Sequence, residues 1–167
     1  MWDAATGQEL LCLRGHDAMS SVALSGDGQC IVSGSPDKTV RVWNAANGHE
    51  LLCLRGHESQ VTSVAWLPGD RRITSGSNDK SVRVWDATNG REVLRLRGHE
   101  SHVSKVAVSG DGRYVISGSH DDTVRIWNAT NGRELRCLQG HEGWVSGVAV
   151  GSDGQSIISG SLDNTVR

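Results

Sequence analysis

The sequence predicts an all-β chain folded as four repeats of one four-stranded antiparallel meander. Three observations predict it. Trp2, Trp43, Trp85 and Trp127 recur at intervals of 41, 42 and 42 residues, a period that has to be read before any local assignment. Inside each period, four short runs rich in β-branched and aromatic residues alternate with turn residues. No segment carries a sustained helical period with caps.

The elements follow in order. Gly-His recurs at Gly15-His16, Gly56-His57, Gly98-His99 and Gly140-His141. A first strand then reads Val-x-x-Val-Ala, as from Val61 to Ala65 and from Val103 to Ala107. A turn follows at Ser25-Gly26-Asp27-Gly28, Leu67-Pro68-Gly69-Asp70, Ser109-Gly110-Asp111-Gly112 and Ser152-Asp153-Gly154. The second strand ends Ser-Gly-Ser at 33–35, 75–77, 117–119 and 159–161, and a tight turn then holds Asp37, Asp79, Asp121 and Asp163. The third strand reads Thr/Ser-Val-Arg-Val/Ile-Trp. A hairpin turn at Asn47-Gly48, Asn89-Gly90 or Asn131-Gly132 leads to the fourth, with Thr6-Gly7 in that place in the first repeat. Asn-Gly suits a turn that needs φ > 0. The run Leu51-Leu52-Cys53-Leu54 is apolar on both faces, as in a strand covered on both sides. Glycine and serine normally weaken a strand, but they fit where neighbouring sheets converge. Small residues inside and Leu/Trp outside describe a wedge, and wedges set about an axis make a β-propeller.

Composition narrows the function. A net charge of −2 and a pI near 6.4 give no global attraction to nucleic acid or to an anionic membrane. No apolar run approaches the ~20 residues that cross a bilayer, and residues 1–7 have no basic or apolar targeting region, so a cytoplasmic chain is expected. Cys12, Cys53 and Cys137 occupy one place in three repeats, with Arg95 there in the other. Equivalent places in stacked repeats exceed the ~5.5–6 Å Cα separation of a disulfide, and Cys-x-x-Cys spacing is absent. No cofactor and no metal are expected. The repeat histidines stand too far apart for a compact zinc motif, and Asp121-Asp122 is far short of a calcium cage. The segment from Gly76 to Ser81 lacks the second glycine of a phosphate-binding loop. The repeated Arg41, Arg83, Arg125 and Arg167 are read as ion-paired or snorkelling structural groups.

The Gly-His, Asp and Trp-Asp residues resemble, over the whole chain, the WD-repeat (Trp-Asp repeat) β-propeller family. Trp-Asp stands at Trp2-Asp3 and Trp85-Asp86, while Trp43-Asn44 and Trp127-Asn128 depart from it; Asn can bond at a turn much as Asp does. The repeats span approximately 3–43, 44–85, 86–127 and 128–167, the last completed by residues 1–3. The phrase Trp-Asp/Asn-Ala-Thr-Asn-Gly-Arg-Glu is similar to WD arrays at the C-terminal end of large fungal and bacterial signalling ATPases. The resemblance implies a buried network in each blade: His16, Ser33, Asp37 and Trp43; His57, Ser75, Asp79 and Trp85; His99, Ser117, Asp121 and Trp127; and His141, Ser159 and Asp163, with Trp2 in phase to complete the last. Ser, His and Asp also suggest a nucleophilic triad, but a catalytic site does not need four copies and a fold-defining bond does. The chain is therefore expected not to be an enzyme.

The resemblance also implies a rim, carrying the Gly-His and Asp turns, where partners dock. Structural positions repeat and recognition positions need not. Just before the first strand the chain reads Met19, Gln60, His102 and Trp144, and just before the turn Asp it reads Pro36, Asn78, His120 and Leu162. Trp144, Leu162, His102, His120, Gln60 and Asn78 are thus candidate contacts for a protein or peptide partner of basic character. The expected function is a non-catalytic protein-interaction scaffold. A structural, oligomerising half-propeller and a fragment of the C-terminal WD array of a larger signalling protein are alternatives. A step of 42 from Trp127 falls two residues past Arg167, in phase with Trp2, so Thr165-Val166-Arg167 finds its continuation in Met1-Trp2-Asp3. Four open blades would expose two apolar faces, and a homodimer closing an eight-bladed ring is the expected solution.

Overall fold

A computed structural model describes residues 1–151 and 154–167, so Ser152 and Asp153 of the fourth expected turn lie outside the described residues. The first sheet takes β1 (Ser21–Leu24), β2 (Cys30–Gly34), β3 (Val40–Asn44) and β4 (Glu50–Leu54). The second takes β5 (Val61–Trp66), β6 (Arg72–Ser77), β7 (Ser81–Asp86) and β8 (Glu92–Arg97), and the third β9 (Val103–Val108), β10 (Tyr114–Ser119), β11 (Val124–Asn128) and β12 (Glu134–Leu138). Each is an antiparallel meander with its strands in sequence order. Each sheet begins after a Gly-His and ends at the next, so the sheets straddle the tryptophan-to-tryptophan repeats.

The turn chemistry explains these boundaries. Gly48, Gly90 and Gly132 all sit at φ +75, the left-handed region the Asn-Gly hairpins demand. Ahead of them Asn44, Asp86 and Asn128 use one side-chain oxygen in the same way. It accepts the backbone N–H two residues on, from Ala46 at 2.9 Å, Thr88 at 2.7 Å and Thr130 at 2.9 Å. An acceptor oxygen is all this turn requires, so Asp and Asn interchange freely there.

The core lies between sheets rather than within one. Val32, Val40, Val42 and Leu54 of the first pack with Val61, Val64, Ile73 and Trp85 of the second. Leu67, Val82 and Leu96 then pack with Val103, Val106, Val115 and Trp127. First strands neighbour first strands, β1 on β5, β5 on β9 and β9 on β13 (Val145–Val150). The approach is close enough to exclude a side chain. A Cβ added at Gly34 would stand 2.6 Å from Val61 Cγ1, at Gly76 2.7 Å from Val103 Cγ1, and at Gly118 2.6 Å from Val145 Cγ1. The glycine of Ser-Gly-Ser is the thin edge of the wedge.

Polar groups also join the blades. The Thr62 hydroxyl donates to the Val103 carbonyl at 2.6 Å, and the Ser104 hydroxyl donates to that of Val145. The Asp70 carboxylate accepts the N–H groups of Gly26 at 2.8 Å and Asp27 at 3.1 Å, from the turn of the preceding blade.

The fourth blade is not a four-stranded sheet in this chain, which corrects that part of the expectation. It holds β13 and β14 (Ile157–Ser161), with Val166 bridged to Gly160. Before the first sheet, Trp2 bridges Glu9. Both end faces are open: Val22 and Leu24 are exposed at one, Ile158, Leu162 and Val166 at the other. Replacing Gly76 by valine should cost ~1–3 kcal/mol, the usual penalty for overpacking a tight core. Urea unfolding measures it, and an unshifted midpoint would show that the blades do not need this close approach.

Candidate functional site

Each network is built from four segments of one sheet and the loop before it. Trp43, Trp85 and Trp127 donate their indole N–H to Ser33, Ser75 and Ser117 Oγ at 2.7, 2.8 and 2.8 Å. The same hydroxyls lie 2.8, 2.8 and 2.7 Å from Nε2 of His16, His57 and His99. On the other side of the ring, Nδ1 lies 2.8, 2.7 and 2.8 Å from Oδ2 of Asp37, Asp79 and Asp121. Indole can only donate and an ionised carboxylate can only accept. With a neutral imidazole the bonds run one way: Trp donates to Ser, Ser donates to His Nε2, and His Nδ1–H donates to Asp.

The charge states agree. Burial pushes Asp37 and Asp121 up, but the Thr39 and Thr123 hydroxyls, the histidines and backbone N–H groups outweigh it and hold both near 2. Asp79 is likewise held well below the usual carboxylate range, where His57 and Ser81 bonds overcome its desolvation. Burial pushes His99 below its ordinary value, against the opposing pull of Asp121, which keeps the ring neutral as the bond direction requires. These serines are almost fully buried with both neighbours engaged, so no hydroxyl faces a substrate.

In the fourth set, His141 Nδ1 lies 2.7 Å from Asp163 Oδ2, and Nε2 lies 2.9 Å from Ser159 Oγ. Trp2 does not reach it within this chain. It is 68% exposed and lines a groove with Leu11, Met19 and Leu24 on the far side of the first blade. Three complete blades stand between Trp2 and Ser159.

Two further sets recur, hydroxyls that the spacing did not single out and the glutamate partners of the expected ion-paired arginines. Thr39, Ser81, Thr123 and Thr165 donate to the network aspartates at 2.6, 2.6, 2.6 and 2.7 Å. Arg41, Arg83 and Arg125 pair with Glu50, Glu92 and Glu134 at 2.8, 2.6 and 2.6 Å, and Arg83 is fully buried. The available signal was a hydroxyl two residues after each Asp and a glutamate nine after each Arg.

At the rim, one backbone bond recurs. Asn78, His120 and Leu162 N–H each donate to the carbonyl of Gln60, His102 and Trp144 at 2.9 Å, which brings the candidate positions together in pairs. His120 stacks on Trp144 with ring centroids 4.3 Å apart and planes 5° from parallel, and His102 lies 5.6 Å from His120. His102, His120, Trp144 and Leu162 thus form one run across two blades. Gln60 and Asn78 meet each other one blade away, Asn78 Nδ2 donating to Gln60 Oε1 at 3.3 Å. The first blade lacks the pair because Pro36 has no N–H. Counted back from β1, Met19 falls in phase with Val61, Val103 and Val145 rather than with Gln60, a correction to its expected place. Trp144 and Leu162 remain 52% and 62% exposed. Asp17, Glu58, Glu100 and Glu142, one after each Gly-His, are exposed, and the last three donate backbone N–H to the network aspartates at 2.9–3.0 Å.

The model of the WD domain, G-beta repeat, matches residues 7–44, 48–86, 90–128 and 132–167. The chain belongs to the WD40 repeat family. This repeat array is accordingly a non-catalytic scaffold of the protein-interaction kind. It is similar to the periodic tryptophan protein 2 homolog of Schizosaccharomyces pombe, 34% identical over 74 residues, or 44% of this chain. The match spans 9% of that protein's length.

Two outcomes follow for the WD40 networks. Ser117→Ala leaves the Trp127 N–H and His99 Nε2 unpaired in the core, and each should cost ~1–3 kcal/mol in a denaturant titration. Acid should also destabilise the fold. The unfolded chain takes up a proton near 6.5 at the position of His99, and near 3.8 at those of Asp37 and Asp121, before the folded chain does. Stability is therefore complete above about pH 7, falls from about 6.5, and falls further from about 3.8 toward 2. A melting temperature constant from pH 7 to 3 would contradict this.

Proposed function

We propose that this chain is a docking scaffold that binds a basic protein or peptide segment, seated on Trp144 and Leu162 and extending over His102 and His120 toward Gln60 and Asn78. The carrying observation is the contrast between the two sets of residues. The buried networks repeat blade by blade, whereas the rim positions differ and leave an aromatic run exposed among carboxylates. Aromatic anchors are enriched at binding hot spots, and the acidic surround favours a cationic segment. Nucleic acid and membranes do not fit that rim. The four cysteines are free, consistent with a reducing, cytoplasmic setting.

The open ends support an assembly reading beside it: two copies close one eight-bladed ring. In a longer array, further repeats would close the ring instead. Light scattering at micromolar concentration separates these. A mass twice the 17.9 kDa chain supports the pair, and a stable monomer overturns it. For the rim, Trp144→Ala and Leu162→Ala should each weaken binding to an Arg/Lys-rich peptide array about tenfold or more, as expected of hot-spot anchors. The melting temperature should stay unchanged. Equal peptide retention by both variants would overturn the assignment.

A further inference from the structure

Antiparallel strands alternate their connections, so each meander has two ends. The Gly-His loops and the Asp turns lie at one. The turns from first to second strand and from third to fourth lie at the other. At that opposite end the second blade carries Arg71 and Arg91, and the third carries Arg113 and Arg133 one repeat interval later. The first blade holds Gln29 and His49 in the same places, so the arginines are not part of the repeating frame. All four are exposed. Among the described residues, the arginines that form ion pairs are Arg41, Arg83, Arg95 and Arg125, and none of these four.

Backbone bonds gather these arginines onto one surface. The Ala87 N–H donates to the Arg71 carbonyl and the Asp86 N–H to that of Arg91, each at 2.9 Å, so both arginines are tied to consecutive residues. Ala129 and Asn128 tie Arg113 and Arg133 in the same way, again at 2.9 Å. The two blades touch at this point. Arg72 Nη1 donates to the Ala129 carbonyl at 3.2 Å, and the Pro68 ring stands 3.3 Å from a Cβ added at Gly112. The Arg113 guanidinium lies over the Tyr114 ring, 5.7 Å from its centroid. The nearby acids are bonded elsewhere. Asp70 takes the N–H groups of Gly26 and Asp27, Asp86 takes the Thr88 N–H and hydroxyl, and Asp111 takes the Ser109 hydroxyl and the Arg113 N–H. Glu92 and Glu134 are taken by Arg83 and Arg125. Positive charge is therefore in excess across this junction, in a chain whose net charge is −2.

We infer that Arg71, Arg91, Arg113 and Arg133 form a second docking surface, which takes an acidic protein segment rich in Asp and Glu. A guanidinium presents a planar fork of donors that matches a carboxylate with two parallel bonds. Asp70, Asp86 and Asp111 stand among the arginines and select against a continuous phosphate backbone, which would set a charge against each of them. The side chains of a peptide can be spaced to meet the arginines and pass the aspartates. This surface lies at the opposite end of the blades from Trp144 and Leu162 and does not depend on their assignment. With both surfaces occupied, the array bridges two segments of opposite charge.

The first blade supplies the variant that tests this. Arg71→Gln, Arg91→His, Arg113→Gln and Arg133→His together copy residues that the same turns already carry at Gln29 and His49, so far-UV circular dichroism should stay unchanged. The probe is a fluorescein-labelled oligoglutamate peptide, followed by fluorescence anisotropy at neutral pH. The parent chain should bind it, and added salt should weaken the binding, as for any exposed charge contact. The fourfold variant should bind about tenfold or more weakly, the sum of four modest surface contacts. Arg71→Gln with Arg113→Gln alone should lose about threefold, which keeps the test open if the fourfold variant does not fold. Trp144→Ala should bind oligoglutamate as the parent does. A parent that does not bind, binding indifferent to salt, or equal binding by the folded variants overturns the surface. Binding of a single-stranded oligothymidylate of equal charge as tightly as oligoglutamate overturns the assignment to an acidic protein segment.

Discussion

A single hydroxyl organises each blade. Ser33, Ser75 and Ser117 sit on the second strand and accept from the tryptophan of the third. They donate to a histidine that arrives from the loop before the first strand. The histidine in turn reaches the aspartate of the tight turn. Indole can only donate and the carboxylate only accept, so a neutral imidazole takes one tautomer and the chain of bonds one direction. Four segments that are distant in sequence are held by groups that can all be satisfied at once. That full satisfaction makes a buried polar network stabilising rather than costly. The aspartate then extends the order outward, accepting the backbone N–H of Glu58, Glu100 or Glu142 at the rim. The buried network and the rim are therefore one continuous structure.

Much of this is written locally in the chain. The spacing of Trp43, Ser33, His16 and Asp37 repeats because each acts through a fixed position on a strand or turn. The Asn-Gly turns announce their positive φ, and the glycine of Ser-Gly-Ser marks the close approach. What the spacing did not disclose depends on register and on neighbours. Arg41 reaches Glu50 across a hairpin whose register shifts between Val42 and Trp43, so strict alternation of faces does not predict the pair. The stacking of His120 on Trp144 joins two blades and reflects how far each wedge is turned from the last. Met19 is misplaced by simple counting because the shorter first repeat moves it onto the phase of the valines. The place of Trp2 was not local either: it lies exposed against the far side of the first blade.

The division of labour among residues follows from that arrangement. Positions inside the wedge are constrained from two sides, by the network within a blade and by the next blade against its glycine, so they recur almost unchanged. Positions one step outward, such as Gln60, His102 and Trp144, share a backbone bond and nothing else. Their side chains are free to differ without disturbing the fold, so a WD40 array can carry a recognition surface that varies from blade to blade on a frame that does not.

Repeats this alike carry a hazard, since a blade that packs well against its neighbour could pack almost as well against the neighbour's neighbour. The turn tips set the junctions apart. Between the first and second blades, the Asp70 carboxylate takes the N–H groups of Gly26 and Asp27. Between the second and third, the ring of Pro68 lies where a side chain at Gly112 would stand. The departure at Leu67-Pro68-Gly69-Asp70 from the common turn therefore acts as a serial number. An alignment displaced by one whole module, within a molecule or between two molecules exchanging parts, would forfeit the Asp70 bonds, a cost the near-identical core does not supply.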